Sequence, residues 1–311
     1  MLNSTVNKVV NSAHQFYTDH LRVLLAKQFL GGDRTLTRQE LLEDSPPYLK
    51  NFYFADKNEI VTLTEPSSVG PLPNNIREKI GEWTFDRPFV AILQDIQLVG
   101  PDALPIAPDG RYVLEAADGS SRRVSDGLVR TLVAGDLPIR QGSVDRTLKT
   151  AVSLAGPWSK EFFHWFADYL PRLRLLNWLE KSKPPLLLPA DPPKWLTDSL
   201  NLLGVSQDRR LSWTGGRTTV ERLIVPSLPR HTESTAPKMG YVHSPRALSW
   251  VAEEIRDAVD DNGRPNVGQR LYVSRSRQGT RTVLDQNIFY EILTQHGFEI
   301  VHPEMWSLPE Q

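Results

Sequence analysis

Residues 270–311 read RLYVSRSRQGTRTVLDQNIFYEILTQHGFEIVHPEMWSLPEQ, and the order of signals within them sets the fold class. Residues 271–274 alternate apolar and polar in the manner of a strand. Asp285 stands where a helix N-cap is expected, ahead of an apolar face made by Phe289, Ile292 and Leu293. Gly297 is placed to close that helix, and residues 298–301 begin a second strand. The pattern is a β-loop-α-β unit with Arg275, Arg277 and Arg281 in its first loop. In open α/β sheets such loops lie beside a helix N-terminus, where phosphates bind. Ser307 and Glu310 have the spacing of a capping box, with Pro309 inside the first turn. A helix is announced there, and the expectation is of a chain cut within an α/β domain.

Upstream of Arg270 the alternation of strands and helices continues back to about residue 148. Residues 150–154 are strand-like, 159–180 helical, and 186–188 a short buried strand. Asp191-Pro192 opens a helix carrying Leu196, Leu200 and Leu203, which Gly204 ends. Strands are expected at 211–213 and 220–225, then a helix from Ser244-Pro245 to about residue 260. This predicts parallel sheets in two α/β units. Before them, residues 89–99 (FVAILQDIQLV) and 112–115 are strand-like, with Pro108-Asp109-Gly110 a turn between. Residues 45–87 hold five prolines (46, 47, 66, 71 and 73) and little periodicity, which reads as irregular structure or linker. Val6, Val9, Val10, Ala13, Phe16, Tyr17, Leu21, Leu24 and Leu25 recur at helical spacing. Thr37 and Glu40 form another capping-box pair. The expected divisions are a helical and irregular segment at 1–87, a β-rich module at 88–147, a first Rossmann-like unit at 148–240, and a linker helix with an incomplete second unit at 241–311.

Composition narrows the function classes. The chain has 311 residues, a net charge of −1 and no cysteine. A near-neutral balance provides no electrostatic footprint for nucleic acid. Structural disulfides and cysteine zinc sites are excluded. No apolar run approaches the roughly 20 residues of a membrane span, and the N-terminus lacks the apolar core of a signal peptide. With 24 prolines, short connections are expected rather than long helices.

Within 156–176, GPWSKEFFHWFADYLPRLRLL, one apolar face carries Phe162, Phe166, Tyr169, Leu173 and Leu176. His164, Asp168 and Arg172 share another face at i, i+4 and i+8. A carboxylate four residues from an imidazole can orient the ring or compete with it as a base. The same spacing also fits a solvated, locally paired stripe. Pro171 removes a helical hydrogen bond just after Asp168 and should bend the segment there. The arginine loop fits either phosphate capture or a basic surface loop. His231 and His243 fall in loop-like sequence and read as solvated; His296 and His302 read as a helix end and a strand end. No G-x-G-x-x-G, Walker A, H-E-x-x-H or G-x-S-x-G sequence occurs.

Two stretches together resemble glycosyltransferase family 61. HWFADYLPRLRLL is similar to that family's H-x-x-x-[DE]-x-LPRL segment, and residues 270–311 resemble its later signature of strand, Ser-Arg, Arg, helix, Gly-Phe, Pro-Glu and Glu-Gln. Asp285-Gln286 stands where the family shows Asn-Glu. The resemblance covers roughly residues 88–311. It implies an α/β protein of the GT-B type, a pair of Rossmann-like units of which the second is incomplete. The implied activity is inverting, metal-independent transfer from a nucleotide-sugar donor to a glycan acceptor in capsular polysaccharide synthesis, with no cofactor. Carried over by position, Asp168 or His164 would be the base and Arg275 and Arg281 would face the diphosphate. Arg172 and Arg277 are further substrate-binding candidates. The family pattern continues past Glu-Gln, so a complementary C-terminal polypeptide is an expected partner. The alternative is a non-catalytic remnant or interaction protein that keeps the acceptor-side domain. No nucleic-acid partner and no transmembrane segment are expected; the expected location is the cytoplasm, at the inner face of the membrane when membrane-associated.

Overall fold

The computed structural model describes residues 34–137, 139–140, 143–179, 183–231, 242–259, 267–277 and 283–311. The N-terminal amphipathic pattern and Arg281 lie outside the described residues. The chain divides into two compact units, Met1–Pro192 with Ser206–Val251, and Pro193–Val205 with Ala252–Gln311.

The first unit is built on a ten-stranded mixed sheet. Its strands are β1 (Thr35–Leu36), β2 (Leu49–Phe54), β5 (Phe89–Val99), β6 (Leu104–Ile106), β7 (Tyr112–Val113), β8 (Arg146–Leu148), β9 (Ala151–Ser153), β10 (Leu186–Pro189), β11 (Arg210–Trp213) and β12 (Arg217–Pro226). The intervening β3 (Glu59–Leu63) and β4 (Gly81–Phe85) form a separate antiparallel pair. The main order is β1-β7-β6-β5-β12-β9-β10-β11, with β2 on β5 and β8 on β12. From β12 through β9 and β10 to β11 every pairing is parallel. From β12 through β5 to β6 and β7 every pairing is antiparallel.

Two expectations change here. Residues 45–87 are not linker throughout: β2 pairs with β5, and β3 with β4. The prolines fall outside these strands, where no ladder hydrogen bond needs an N–H. Residues 88–147 and 148–240 also share one sheet, because β12 runs antiparallel to β5 from Arg217↔Val99 to Pro226↔Val90. β5 is the eleven-residue strand that its alternating and apolar sequence predicts. Buried between the sheet's covered faces and its helices are Phe89, Leu93, Ile96, Leu98, Leu187, Val220, Leu223 and Trp213. The Trp213 indole N–H donates to the Gly100 carbonyl at 2.9 Å, so its polar edge is satisfied inside that core.

Local caps follow the sequence. Thr37 opens helix α1 (Arg38–Glu43) with a complete capping box to Glu40. Helix α2 (Ser121–Val133) packs Val124 and Leu128 beside Leu104 and Ile106.

The second unit includes helix α3 (Lys194–Leu202), which the sequence reading assigns to the first Rossmann-like unit. Helix α4 (Pro245–Ala258) follows in the chain. The expected β-loop-α-β unit is present: β13 (Leu271–Val273), helix α5 (Gln286–Gln295) and β14 (Glu299–Val301), with β13 and β14 parallel neighbours. Gly297, at φ +74°, ends α5, and the Phe298 N–H donates to the Leu293 carbonyl at 3.0 Å, the closure a left-handed glycine allows. Asp285 departs from its expected role. It takes a left-handed conformation (φ 51°, ψ 42°) and its side chain caps nothing. Ser307 and Glu310 do form a capping box, around a single 3₁₀ turn.

Candidate active site

The segment expected as one helix over 159–180 is three kinds of helix in series. One α-turn (Phe162–His164) passes into a π-helical turn (Trp165–Tyr169) and then a 3₁₀ stretch (Leu170–Leu179). Pro171 explains the second change, since without an N–H it cannot bond to the carbonyl four residues back. Wide π turns are uncommon and recur at functional sites. Asp168 lies in this one and is 1% exposed.

Three side chains converge on Asp168. The His164 Nδ1–H donates to Oδ2 at 2.7 Å. Arg230 Nε donates to Oδ1 at 2.6 Å, and the His243 Nε2–H reaches the same oxygen at 3.0 Å. Burial by itself would raise the Asp168 pKa. The hydrogen bonds from His164 and His243 and the Arg230 guanidinium overcome it and hold the carboxyl well below the usual carboxylate range. Asp168 is thus a buried anion with both oxygens engaged, a poor proton acceptor at neutral pH. His164 is different. Its side chain is 22% exposed, and with Nδ1–H committed to Asp168 the lone pair sits on Nε2. An imidazole oriented in this way by a carboxylate is the arrangement of a general base.

Arg230 and His243 reach Asp168 together because their backbones pair. They form an antiparallel bridge, flanked by His231 N–H to the Val242 carbonyl at 3.0 Å and Ser244 N–H to the Pro229 carbonyl at 2.8 Å. The strand end feeding this bridge is fixed by Ser227 N–H on the Phe89 carbonyl at 2.8 Å and Leu228 N–H on Glu115 Oε1 at 2.6 Å. Arg230 also donates from Nη2 to Asp118 Oδ1 at 2.8 Å, so one guanidinium spans two buried carboxylates. Burial raises the Asp118 pKa, Arg230 opposes the rise, and the neighbouring Asp168 adds to it.

Neither Arg230 nor the role of His243 is visible in the sequence. The partners are 62 and 75 residues from Asp168, and no local periodicity marks the bridge. The expectation of solvated histidines at 231 and 243 is corrected. His243 is hydrogen-bonded, and His231 is buried against the rings of Trp83 (5.1 Å) and Phe85 (4.6 Å). Arg172, a substrate-binding candidate from the sequence, is 2% exposed. It donates to the Pro226 carbonyl at 2.8 and 3.0 Å and to the Glu115 carbonyl at 3.0 Å. These bonds tie the 3₁₀ segment to the end of β12 and turn its donors away from solvent.

In the second unit, Arg275 and Arg277 are exposed in the loop after β13. Ser274 anchors that loop, accepting from the Ser276 N–H at 3.1 Å and bonding the Tyr290 hydroxyl on α5. Arg277 points a guanidinium N–H at the Met305 sulfur. No ion pair to Arg275 is present among the described residues.

Residues 162–311 match the family model Glycosyltransferase 61. This stretch belongs to glycosyltransferase family 61. No curated protein and no solved structure matches the chain. The chain therefore carries the domain of a sugar-transferring enzyme. The family 61 stretch opens at Phe162, two residues before His164, and takes in Asp168, Arg230, His243 and the arginine loop. Asp118 lies outside it, on the part of the sheet unit that precedes the match.

The charge state of Asp168 has a consequence for acid stability. A folded pKa below the unfolded value means that the unfolded chain binds the extra proton as pH falls. Stability from this group is therefore full at neutral pH and is lost progressively below the ordinary aspartate value of about 3.9. Urea midpoints of the wild type should fall between pH 5 and pH 3, and Asp168→Asn should flatten that fall. Equal slopes in the two proteins would mean that the buried anion is not the acid-labile element.

Proposed function

We propose that the chain transfers a sugar from a nucleotide-sugar donor to a hydroxyl of a glycan acceptor, with inversion and without a metal, in making a surface polysaccharide. The observation that carries this reading is the buried Asp168 carboxylate orienting His164 inside the family 61 stretch. In the proposed reaction His164 Nε2 takes the acceptor's hydroxyl proton as the oxygen attacks the anomeric carbon. The bond from that carbon to the diphosphate breaks, and the nucleoside diphosphate leaves with the electron pair. Cationic donors then meet the charge that develops on the leaving group. Arg275, Arg277 and Arg281 are proposed for this role. The GT-B reading, in which the parallel half of the large sheet is the acceptor side and the β13-α5-β14 unit the donor side, belongs to the same proposal. So does a cytoplasmic location at the inner membrane face; no helix among the described residues is long and apolar enough to cross a membrane.

A second reading, an interaction protein completed by another polypeptide, draws on the second unit. There Val273 (59% exposed), Ile288 (60%) and Ile292 (48%) remain open, and α5 buries none of its residues.

Nucleotide binding separates the two. Thermal unfolding with millimolar UDP, GDP and CMP should show a melting temperature that rises with concentration of the cognate nucleotide. Arg275→Ala and Arg277→Ala should each weaken that nucleotide about 10- to 150-fold, the loss of a charge-assisted contact worth roughly 1.5–3 kcal/mol. A flat response to every nucleotide would favour the interaction protein.

A further inference from the structure

Two aromatic rings, Trp158 and Phe163, pack against His164, and Phe162 lies next to Phe163 in the chain; the three are engaged to different degrees. The Trp158 ring carries the Arg123 guanidinium 4.4 Å from its centroid and lies 5.2 Å from His164. Phe162 packs against Phe166 at 4.7 Å. Phe163 is the most open, at 62% exposed. It stands nearly perpendicular to two imidazoles at once, His164 (5.4 Å, 75°) and His243 (5.5 Å, 87°). A single exposed aromatic is ordinary on a protein surface. Here the exposed ring touches both histidines that share the Asp168 carboxylate, at the mouth of the only stretch of backbone in a π turn among the described residues.

We propose that Phe163 is the stacking surface for a pyranose ring of the acceptor glycan, setting that sugar against His164. This rests on the sugar-transfer reading above. A pyranose presents one face of axial C–H groups, apolar and slightly electropositive. The face of a phenyl ring is apolar and electronegative, so the two attract without a hydrogen bond. The ring is rigid about two torsions, so little side-chain freedom is lost on stacking. Contact with both imidazoles fixes its tilt before a sugar arrives, and a sugar laid on it keeps its hydroxyls free to reach the base. Two nearby guanidinium groups are already engaged: Arg230 with Asp118 and Asp168, and Arg123 with the Trp158 face. At the apolar ring face itself, selection of the acceptor sugar falls to shape and C–H placement. Sugars with an unbroken axial C–H face, such as β-glucosides and β-xylosides, should be preferred over those with an axial hydroxyl on it.

The test is saturation-transfer NMR on the full chain with methyl β-glucoside, β-xyloside, β-N-acetylglucosaminide and α-mannoside, beside thermal shifts with UDP, GDP and CMP. The wild type should transfer saturation to the axial protons of at least one glycoside. Phe163→Ala should weaken that glycoside about 3- to 10-fold, Phe163→Trp should retain it, and nucleotide shifts should be the same in all three proteins. Glycoside binding that is indifferent to Phe163→Ala, or absent from a wild type that binds nucleotide, would overturn the proposal. A loss of nucleotide shift in Phe163→Ala would also overturn it, by making the ring a nucleobase platform. A wild type that binds glycoside with Phe163-dependence but no nucleotide would leave the stacking surface standing and remove the transferase reading instead.

Discussion

Replacing Arg230 with methionine is expected to destabilise the first unit by about 3–5 kcal/mol, the usual effect of breaking a buried ion pair from one side. The size follows from what is left behind. Asp118 and Asp168 both have side chains 1% exposed, and the Arg230 guanidinium is the group that bonds to each. Without it, two carboxylates face each other out of water, and one must take up a proton or the unit must open. His243 would still reach Asp168, but no comparable partner serves Asp118: Arg123 stands 3.8 Å away and Asp118 Oδ2 already lacks a hydrogen bond. Urea denaturation at pH 7 measures the loss. The double variant Arg230→Met with Asp118→Asn should recover part of it, because the amide removes one of the stranded charges. A loss below about 1 kcal/mol, the range of an exposed ion pair, would show that the guanidinium does not join these carboxylates.

The second large effect concerns turnover. His164→Gln should lower kcat by about 10²–10⁴-fold, the span usual for a general base, while nucleotide affinity stays unchanged. Glutamine can still donate to Asp168 from its amide, so the fold around the carboxylate is kept while the proton acceptor is lost. Asp168→Asn should also lower kcat more than donor affinity, for another reason: an amide cannot accept from His164, Arg230 and His243 together, and the imidazole loses its orientation. The pair of variants separates two assignments that spacing leaves open. If His164→Gln retained turnover while Asp168→Asn abolished it, the carboxylate itself would be the base, despite its low pKa. A donor–acceptor pair identified by product analysis is needed for this measurement, and a pH–rate profile of the wild type would report the base directly.

Features set by neighbours in sequence were legible beforehand. The eleven residues of β5, the Thr37–Glu40 and Ser307–Glu310 boxes, the Gly297 helix end and the β13-α5-β14 order each depend on a handful of adjacent residues. The His164–Asp168 pair was legible for the same reason, as an i, i+4 relation. Two kinds of error arose where that locality fails. The 159–180 stretch keeps helical spacing, and apolar periodicity does not separate α from π or 3₁₀ winding; only Pro171 hinted at a change. Arg172 shared a face with Asp168 on paper, yet its donors found main-chain carbonyls of β12 and the 114–116 turn, partners set by the sheet's crossover. Arg230 and His243 are the extreme case, since antiparallel bridging between 229–231 and 242–244 brings them to a carboxylate on a distant helix. The arginine loop was legible as a β-to-α connection, and exposure of Arg275 and Arg277 follows from the short strand that precedes them.

The bridge between Arg230 and His243 also decides what kinds of change this centre can absorb. Both side chains are located by the same short backbone seam, the Arg230–His243 bridge with its two flanking hydrogen bonds. A lesion that unzips the seam would remove a cation and an imidazole from Asp168 in a single event, so the centre is brittle to shear.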